Sequence, residues 1–367
     1  MKKQETRAAH DFWIVISVTL LLIIGTLMVF SSTVIMAEAR FHSPYLFVFK
    51  QLQWLLIGSI AMYFFSNFNY SKLQKFAKPI FIISIILLVA VLVVGTSRGG
   101  AKRWIFWGPI NFQPSEIAKL GIVIALADYL DRKKSRLSTF KGVWPAFAML
   151  GLTCGLIGLE PDLGSPVLIT CVILGLLYMA GANFKFITGL VLLAVPLAIV
   201  EVLRKPYRLA RVKAFIESWG DIRSVQFQLD QSLVALGSGG FFGKGLGQGQ
   251  MKLGHVPEPH TDFIFPIIGE ELGFVGAAIV ISLFIIFAWR GIQTSLNSKD
   301  FFGGLLAMGI TLIIVFQAIL NIGVACGVFP TKGLPLPFVS FGGTALVINM
   351  AEIGILLNIS KSCTKRF

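Results

Sequence analysis

Apolar residues run along this chain in long blocks separated by short polar connections. Apolar windows place helices at about 12–36, 47–66, 79–96, 114–131, 142–159, 165–182, 185–203, 263–289, 303–328 and 338–360. A helix crosses a hydrocarbon layer of about 30 Å with about 20 apolar residues. Within lipid every backbone amide must be satisfied internally, which leaves helices or a closed barrel. A barrel would alternate in short segments, and these blocks do not alternate. The pattern therefore predicts an all-α integral membrane protein of ten transmembrane helices. It forms one polytopic domain over residues 1–367, with a large loop at about 204–262 between the seventh and eighth helices.

Inside that loop, Pro206 to Ile216 reads as a basic amphipathic stretch and Val225 to Leu236 as a surface or re-entrant helix. No internal repeat is visible. The first block is too long for a signal-peptide core and no small-residue cleavage site follows it, so it reads as a retained helix.

Composition changes the picture little. The chain is 55% hydrophobic and 14% charged, with a mean hydropathy of +0.80, where a soluble domain is about half apolar and a quarter charged. A net charge of +14 would suit nucleic acid, but the basic residues are scattered through the connections, so no nucleic-acid partner is expected. One set of connections carries Lys72, Lys75, Lys78, Arg132, Lys133, Lys134, Arg136, Lys141, Lys185, Arg290 and Lys299, with Lys361, Lys365 and Arg366 on the tail. The other short connections carry only Arg40, Arg98, Lys102, Arg103 and Lys332. That asymmetry predicts both termini in the cytoplasm. Cys154, Cys171, Cys326 and Cys363 have no ligand spacing or pairing pattern and read as packing residues.

Several clusters could carry chemistry. In Val256-Pro-Glu-Pro-His-Thr-Asp-Phe-Ile-Phe265, Asp262 precedes an apolar helix at the outer surface, where a carboxylate can act as a general base or hold a metal. Thr261 or Asp262 can equally cap that helix, and the two roles are compatible. In Phe112-Gln-Pro-Ser-Glu-Ile-Ala-Lys119, Glu116 and Lys119 share a helix face, either as a buried ion pair or as a pair polarising a cavity. Arg98, Lys102 and Arg103 lie outside against the charge rule, as an anionic ligand such as a pyrophosphate would explain.

The glycine-rich stretch Gly237 to Gly249 matches neither GxGxxG nor GxxxxGK[ST], so no nucleotide is expected. Its amides, with Lys244 and Lys252, could form an anion nest or simply a flexible surface loop. Glu160-Pro-Asp-Leu-Gly-Ser165 reads as a tight outer turn with two carboxylates, and Lys332 to Gly343, which includes Ser340, as a stiff proline-rich outer loop running into a glycine-bearing helix. Glu270, Glu271, Gln317, Asn321 and Glu352 lie in apolar runs, where hydrogen bonding between helices is the default role.

Taken in order, QPSEIAK, EPDLG, ALGSGG followed by GKGLG, PEPHTDFIFPIIGEELG and GLPLPFVSFGG resemble the SEDS family of cell-wall proteins over nearly the whole chain. The resemblance implies ten helices with a large extracellular loop after the seventh. It also implies polymerisation of glycan strands from lipid II, the undecaprenyl-pyrophosphate disaccharide-peptide, beside a class B penicillin-binding protein and other division proteins. It makes Asp262 the essential acidic residue, and Glu116 with Lys119 the ion pair of the central cavity. QMKLGHVPEPHTDFIFPIIGEELG and CGVFPTKGLPLPFVSFGG look closer to the division branch than to the elongation branch, with the sporulation homologue also similar.

The expected reaction is attack by a GlcNAc 4-hydroxyl on the anomeric MurNAc carbon with loss of undecaprenyl pyrophosphate. Asp262 would be base or metal anchor, and His260, Thr261 and Ser340, with Glu116 and Lys119, would be among the residues that bind substrate. Arg98, Lys102, Arg103, Lys244, Lys252 and a divalent cation, magnesium or manganese, would face the pyrophosphate. A lipid II flippase and a non-catalytic division scaffold are the alternatives.

Overall fold

The computed structural model describes residues 10–98, 101–107, 110–160, 162, 164–217, 227–252, 260–330 and 333–363. The helices are α1 (Phe12–Phe41), α2 (Leu46–Asn67), α3 (Ser71–Val94), α4 (Pro114–Arg132), α5 (Phe140–Leu159), α6 (Gly164–Met179), α7 (Phe184–Leu203), α8 (Pro206–Glu217), α9 (Phe227–Ser238), α10 (Ile264–Leu296), α11 (Phe301–Ala325) and α12 (Gly343–Lys361). Each expected window falls on one of them, and the two loop helices are α8 and α9.

The boundaries differ where an apolar window is a poor ruler. α3 starts at Ser71, not near 79, because Lys72, Lys75 and Lys78 belong to its first turns and Pro79 lies inside the helix. α12 starts at Gly343, not near 338, because Pro335, Pro337 and a left-handed Phe338 (φ 64°) keep the preceding apolar stretch irregular. Asp11 starts α1 by accepting from the amides of Trp13 and Ile14, and Asp300 starts α11 through Gly303 N at 2.6 Å. Both satisfy amides that a helix start leaves unpaired.

The all-α expectation holds, with one short addition in a connection. The connection after α3 forms an antiparallel meander of β1 (Thr96–Arg98), β2 (Ala101–Trp107) and β3 (Ile110–Phe112). Its run of Trp104, Ile105, Phe106 and Trp107 has strong strand propensity.

Among the described residues eight helices, α1, α2, α3, α5, α7, α10, α11 and α12, are long and apolar enough to cross a membrane. α6 is apolar but has 16 residues. α4 has 19 residues but carries Glu116, Lys119, Asp128, Asp131 and Arg132. α4 is nevertheless buried along most of its length and packs against α3 and α11, so its charges lie inside the bundle. Large apolar side chains are instead turned outward, with Val93 75% and Tyr63 73% exposed. Such a surface has a low-energy environment only in lipid or against a partner. The chain is therefore a multi-pass membrane protein.

α10 is broken at Gly273, whose backbone (φ 68°, ψ −165°) leaves the helix. The glycine-rich loop after α9 closes the break. Lys244 N and Gly245 N donate to the carbonyls of Glu270 and Glu271, at 3.0 Å each. Phe274 N and Val275 N donate to the carbonyls of Gly240 and Phe241, at 2.9 and 3.2 Å. These four backbone groups at the break thus find partners within protein, as irregular backbone at membrane depth requires. A Cβ on Gly273 would stand 2.3 Å from Gly243 N. Glycine is therefore required there by both dihedral angle and space.

Candidate functional site

Asp262 ends a three-residue stretch whose backbone carbonyls are all held. His260 O accepts from Phe341 N at 2.8 Å, Thr261 O from Ser340 Oγ at 2.5 Å and Asp262 O from Asn321 Nδ2 at 2.8 Å. Ser340 Oγ in turn accepts from Leu336 N at 2.8 Å, which fixes the proline loop that supplies it. The His260 ring lies between Phe47 and Phe341, with centroids 5.3 and 5.9 Å away. A Cβ on Gly333 would stand 3.1 Å from Asp262 Oδ2, so the bare backbone of Gly333 leaves room for the carboxylate. Main-chain contacts thus immobilise Asp262 and leave its side chain partly exposed.

Asn321 also reaches Leu334 O at 2.7 Å, and one turn earlier on α11 Gln317 Nε2 donates to Pro335 O at 2.9 Å. The Gln317 carbonyl accepts from Lys119 Nζ at 2.7 Å. Lys119 pairs with Glu116 Oε2 at 2.8 Å, with both side chains no more than 2% exposed. Polar contacts therefore run without a gap from Glu116 through Lys119, Gln317, the proline loop and Asn321 to Asp262. Gln317 and Asn321, four residues apart on one helix face, couple the ion pair to the backbone carbonyl of Asp262. The buried Glu352 of α12 adds a second carboxylate within electrostatic reach of Lys119. Its Oε2 has no hydrogen-bond partner among the described residues.

The Glu160–Ser165 turn joins the same region, since a Cβ on Gly164 would stand 2.8 Å from the Leu334 side chain. Asp162 caps α6, accepting from Gly164 N at 2.8 Å and Ser165 Oγ at 2.7 Å. Arg103 of β2 gives Nε to Glu160 O at 2.9 Å, which tethers the meander to the turn, while Lys102 is exposed. Arg98 lies at the end of β1, and its side chain is outside the described residues.

Neither Glu160 carboxyl oxygen has a hydrogen-bond partner among the described residues. Burial first, and the Asp162 charge second, push this carboxyl up to about 8, against the pull of Arg103. With an unfolded value of 4.5, the folded state holds the extra proton between those two values. Stability therefore falls as pH rises through that window and is level above it. Glu160→Gln is expected to flatten this profile and to melt above the wild type on the alkaline side, as thermal unfolding at a series of pH values would show. Parallel melting curves for the two proteins would contradict it.

Lys244 and Lys252, expected at an anion nest, have internal partners instead. Lys252, 2% exposed, pairs with Glu271 Oε1 at 2.6 Å and donates to Ser31 Oγ of α1 at 3.0 Å. Lys244 pairs with Glu270 Oε1 at 2.9 Å. The amides of Gln250 and Met251 bind the Glu270 carboxylate, and that of Gly247 binds Glu271. The glycine loop does form a nest, and the anions in it are the protein's own carboxylates.

Among the described residues no three His, Cys, Asp or Glu side chains gather as metal ligands. Magnesium commonly takes one or two carboxylates and completes its shell with substrate phosphates and water. Asp262 fits the protein's share of such a site.

Comparison with known proteins places the chain in a family. A model of the FtsW/RodA/SpoVE family, described as "Cell cycle protein", matches residues 12–365. The chain is 37% identical to a "Probable peptidoglycan glycosyltransferase FtsW" of Geobacter sp. (strain M18), over 96% of each protein. It is 38% identical to "Stage V sporulation protein E" of Bacillus subtilis (strain 168), over 97% of this chain and 98% of that protein. A solved structure described as "Structural coordination of polymerization and crosslinking by a peptidoglycan synthase complex" superposes with a TM-score of 0.80 at 27% identity, covering 98% of this chain and 99% of that one. The Thermus thermophilus rod shape determining protein RodA superposes at 0.73 with 25% identity and the same coverage. A family match over almost the entire length, with relatives above a third identical end to end, means that this chain belongs to the FtsW/RodA/SpoVE family of cell cycle proteins.

Proposed function

We propose that this chain is a peptidoglycan glycosyltransferase that polymerises lipid II at the outer face of the bacterial cytoplasmic membrane during cell division. α4 and α6 complete ten spans with the eight long apolar helices, and both termini are cytoplasmic. The observation that carries the reading is Asp262, whose backbone is held in place and joined through Asn321, the proline loop and Gln317 to the buried Glu116–Lys119 pair while its side chain stays partly exposed.

In the reaction Asp262 accepts the proton of an acceptor GlcNAc 4-hydroxyl as its oxygen bonds to the anomeric MurNAc carbon of the strand. The bond from that carbon to the undecaprenyl pyrophosphate oxygen breaks, with inversion. Holding the base by backbone contacts lowers the cost of bringing it to the hydroxyl. The leaving pyrophosphate gathers negative charge, and Lys102, Arg103 and Arg98 are the cations of the outer connection that would meet it. A divalent ion held by Asp262 would add positive charge there. A class B penicillin-binding protein, which cross-links glycan strands, is the proposed partner, alongside other division proteins.

A flippase would carry a charged headgroup through the bundle. Along α4 the residues between Lys119 and Asp128 are Leu120 to Ala127, none of them ionisable, which disfavours such a path. The test is to supply lipid II and a divalent cation to the purified protein with its cognate class B penicillin-binding protein and to resolve glycan products on a gel. A ladder of strands is expected. No ladder from a folded, competent complex would overturn the polymerase reading in favour of flipping or scaffolding.

A further inference from the structure

We propose that a groove between α3, α4 and α5, at the end of the bundle remote from Asp262, binds an anionic glycerophospholipid from the leaflet on that side. Glu116 and Arg132 stand sixteen residues apart on α4, about 24 Å along the helix, so the groove and the Asp262 region lie at opposite ends. The groove holds about 540 Å³, within the size of ordinary ligand pockets. Its mouth is set by Lys78, Arg132 and Lys133, and its wall by Phe81, Ile82 and Met149.

Charge at the mouth is not internally balanced. Asp128 takes the Nε of Arg132 at 2.7 Å, on an arginine side chain that is 54% exposed. Asp131 accepts from Gln74 Nε2 at 2.8 Å. Among the described residues Lys78 and Lys133 form no ion pair, and both are exposed. Lys78, Arg132 and Lys133 against Asp128 and the neighbouring Asp131 still leave a net positive, anion-seeking rim.

Below the rim the lining is apolar. Ile82, 57% exposed, opens it sideways to where lipid lies. Met149, midway along α5, carries it toward mid-depth. A lysine rim alone would satisfy the charge asymmetry of a membrane protein. A lysine rim over an apolar groove has the two-part chemistry of a phospholipid, phosphate above and acyl chain below. A free phosphate would use only the upper half, so the lipid is the proposed occupant.

The test is native mass spectrometry of the detergent-purified full chain titrated with phosphatidylglycerol or phosphatidylethanolamine. Phosphatidylglycerol adducts are expected to dominate. Lys78→Gln with Lys133→Gln should weaken them about thirtyfold, at roughly a factor of five to six for each lysine, and should leave the neutral lipid unchanged. Met149→Trp, or Ile82→Trp at the exposed wall, should weaken both lipids by filling the groove. Each variant is first required to melt as the wild type does in lipid-free detergent. Phosphatidylglycerol binding within about twofold of wild type in the lysine variant would overturn the proposal. Competition by inorganic phosphate as effective as that by the lipid would do the same.

Discussion

Replacing Asp262 by Asn is expected to reduce glycan polymerisation by at least about a hundredfold, the lower end of what a positioned general base contributes. Folding should be unaffected. The carbonyls of His260, Thr261 and Asp262 are held by Phe341, Ser340 and Asn321, and Asn preserves all three of these contacts. The amide has nearly the volume of the carboxylate and fits the same space beside Gly333. What the substitution removes is the capacity to take a proton and the negative charge for a divalent ion. Single-turnover assembly from lipid II, read beside a thermal melt, separates these effects. A variant that melts with the wild type and polymerises at a comparable rate would move the base to another residue.

The fold was legible because its signal is one-dimensional: an apolar block of spanning length has few solutions in lipid. Even the amphipathic stretch at 206–216 emerges as α8, and the helix expected at 225–236 as α9 from Phe227, with 225 and 226 outside the described residues. Features that depend on distant partners were not legible. Lys252 reads as a surface cation until Ser31 and Glu271 close around it. The helical run at 263–289 conceals the break at Gly273, because its carbonyls and amides are satisfied from Gly240 to Gly245. The meander over 96–112 was hidden for another reason: its strands are only three to seven residues long. At the candidate site the motifs were visible one at a time. Their junction through Gln317 and Asn321 was not, although the four-residue spacing of two amides on an apolar helix was the available sign.

Removing the charge of Lys119 should be the most damaging change in the bundle interior. Lys119→Met leaves Glu116 as an unpaired carboxylate no more than 2% exposed. Losing one partner of a buried pair costs about 3–5 kcal/mol. The Gln317 carbonyl also loses its donor. Adding Glu116→Leu should recover most of the stability, because an apolar pair of similar volume is often tolerated where a lone charge is not. Activity is the discriminating readout. If the pair only packs the helices, polymerisation returns with stability in the double variant. If the Lys119 charge orients Gln317, and through it the proline loop that holds Asp262, polymerisation stays low in a protein that melts normally. The second outcome is expected, since Gln317 holds the loop at Pro335 O with one end and takes its orientation from Lys119 at the other.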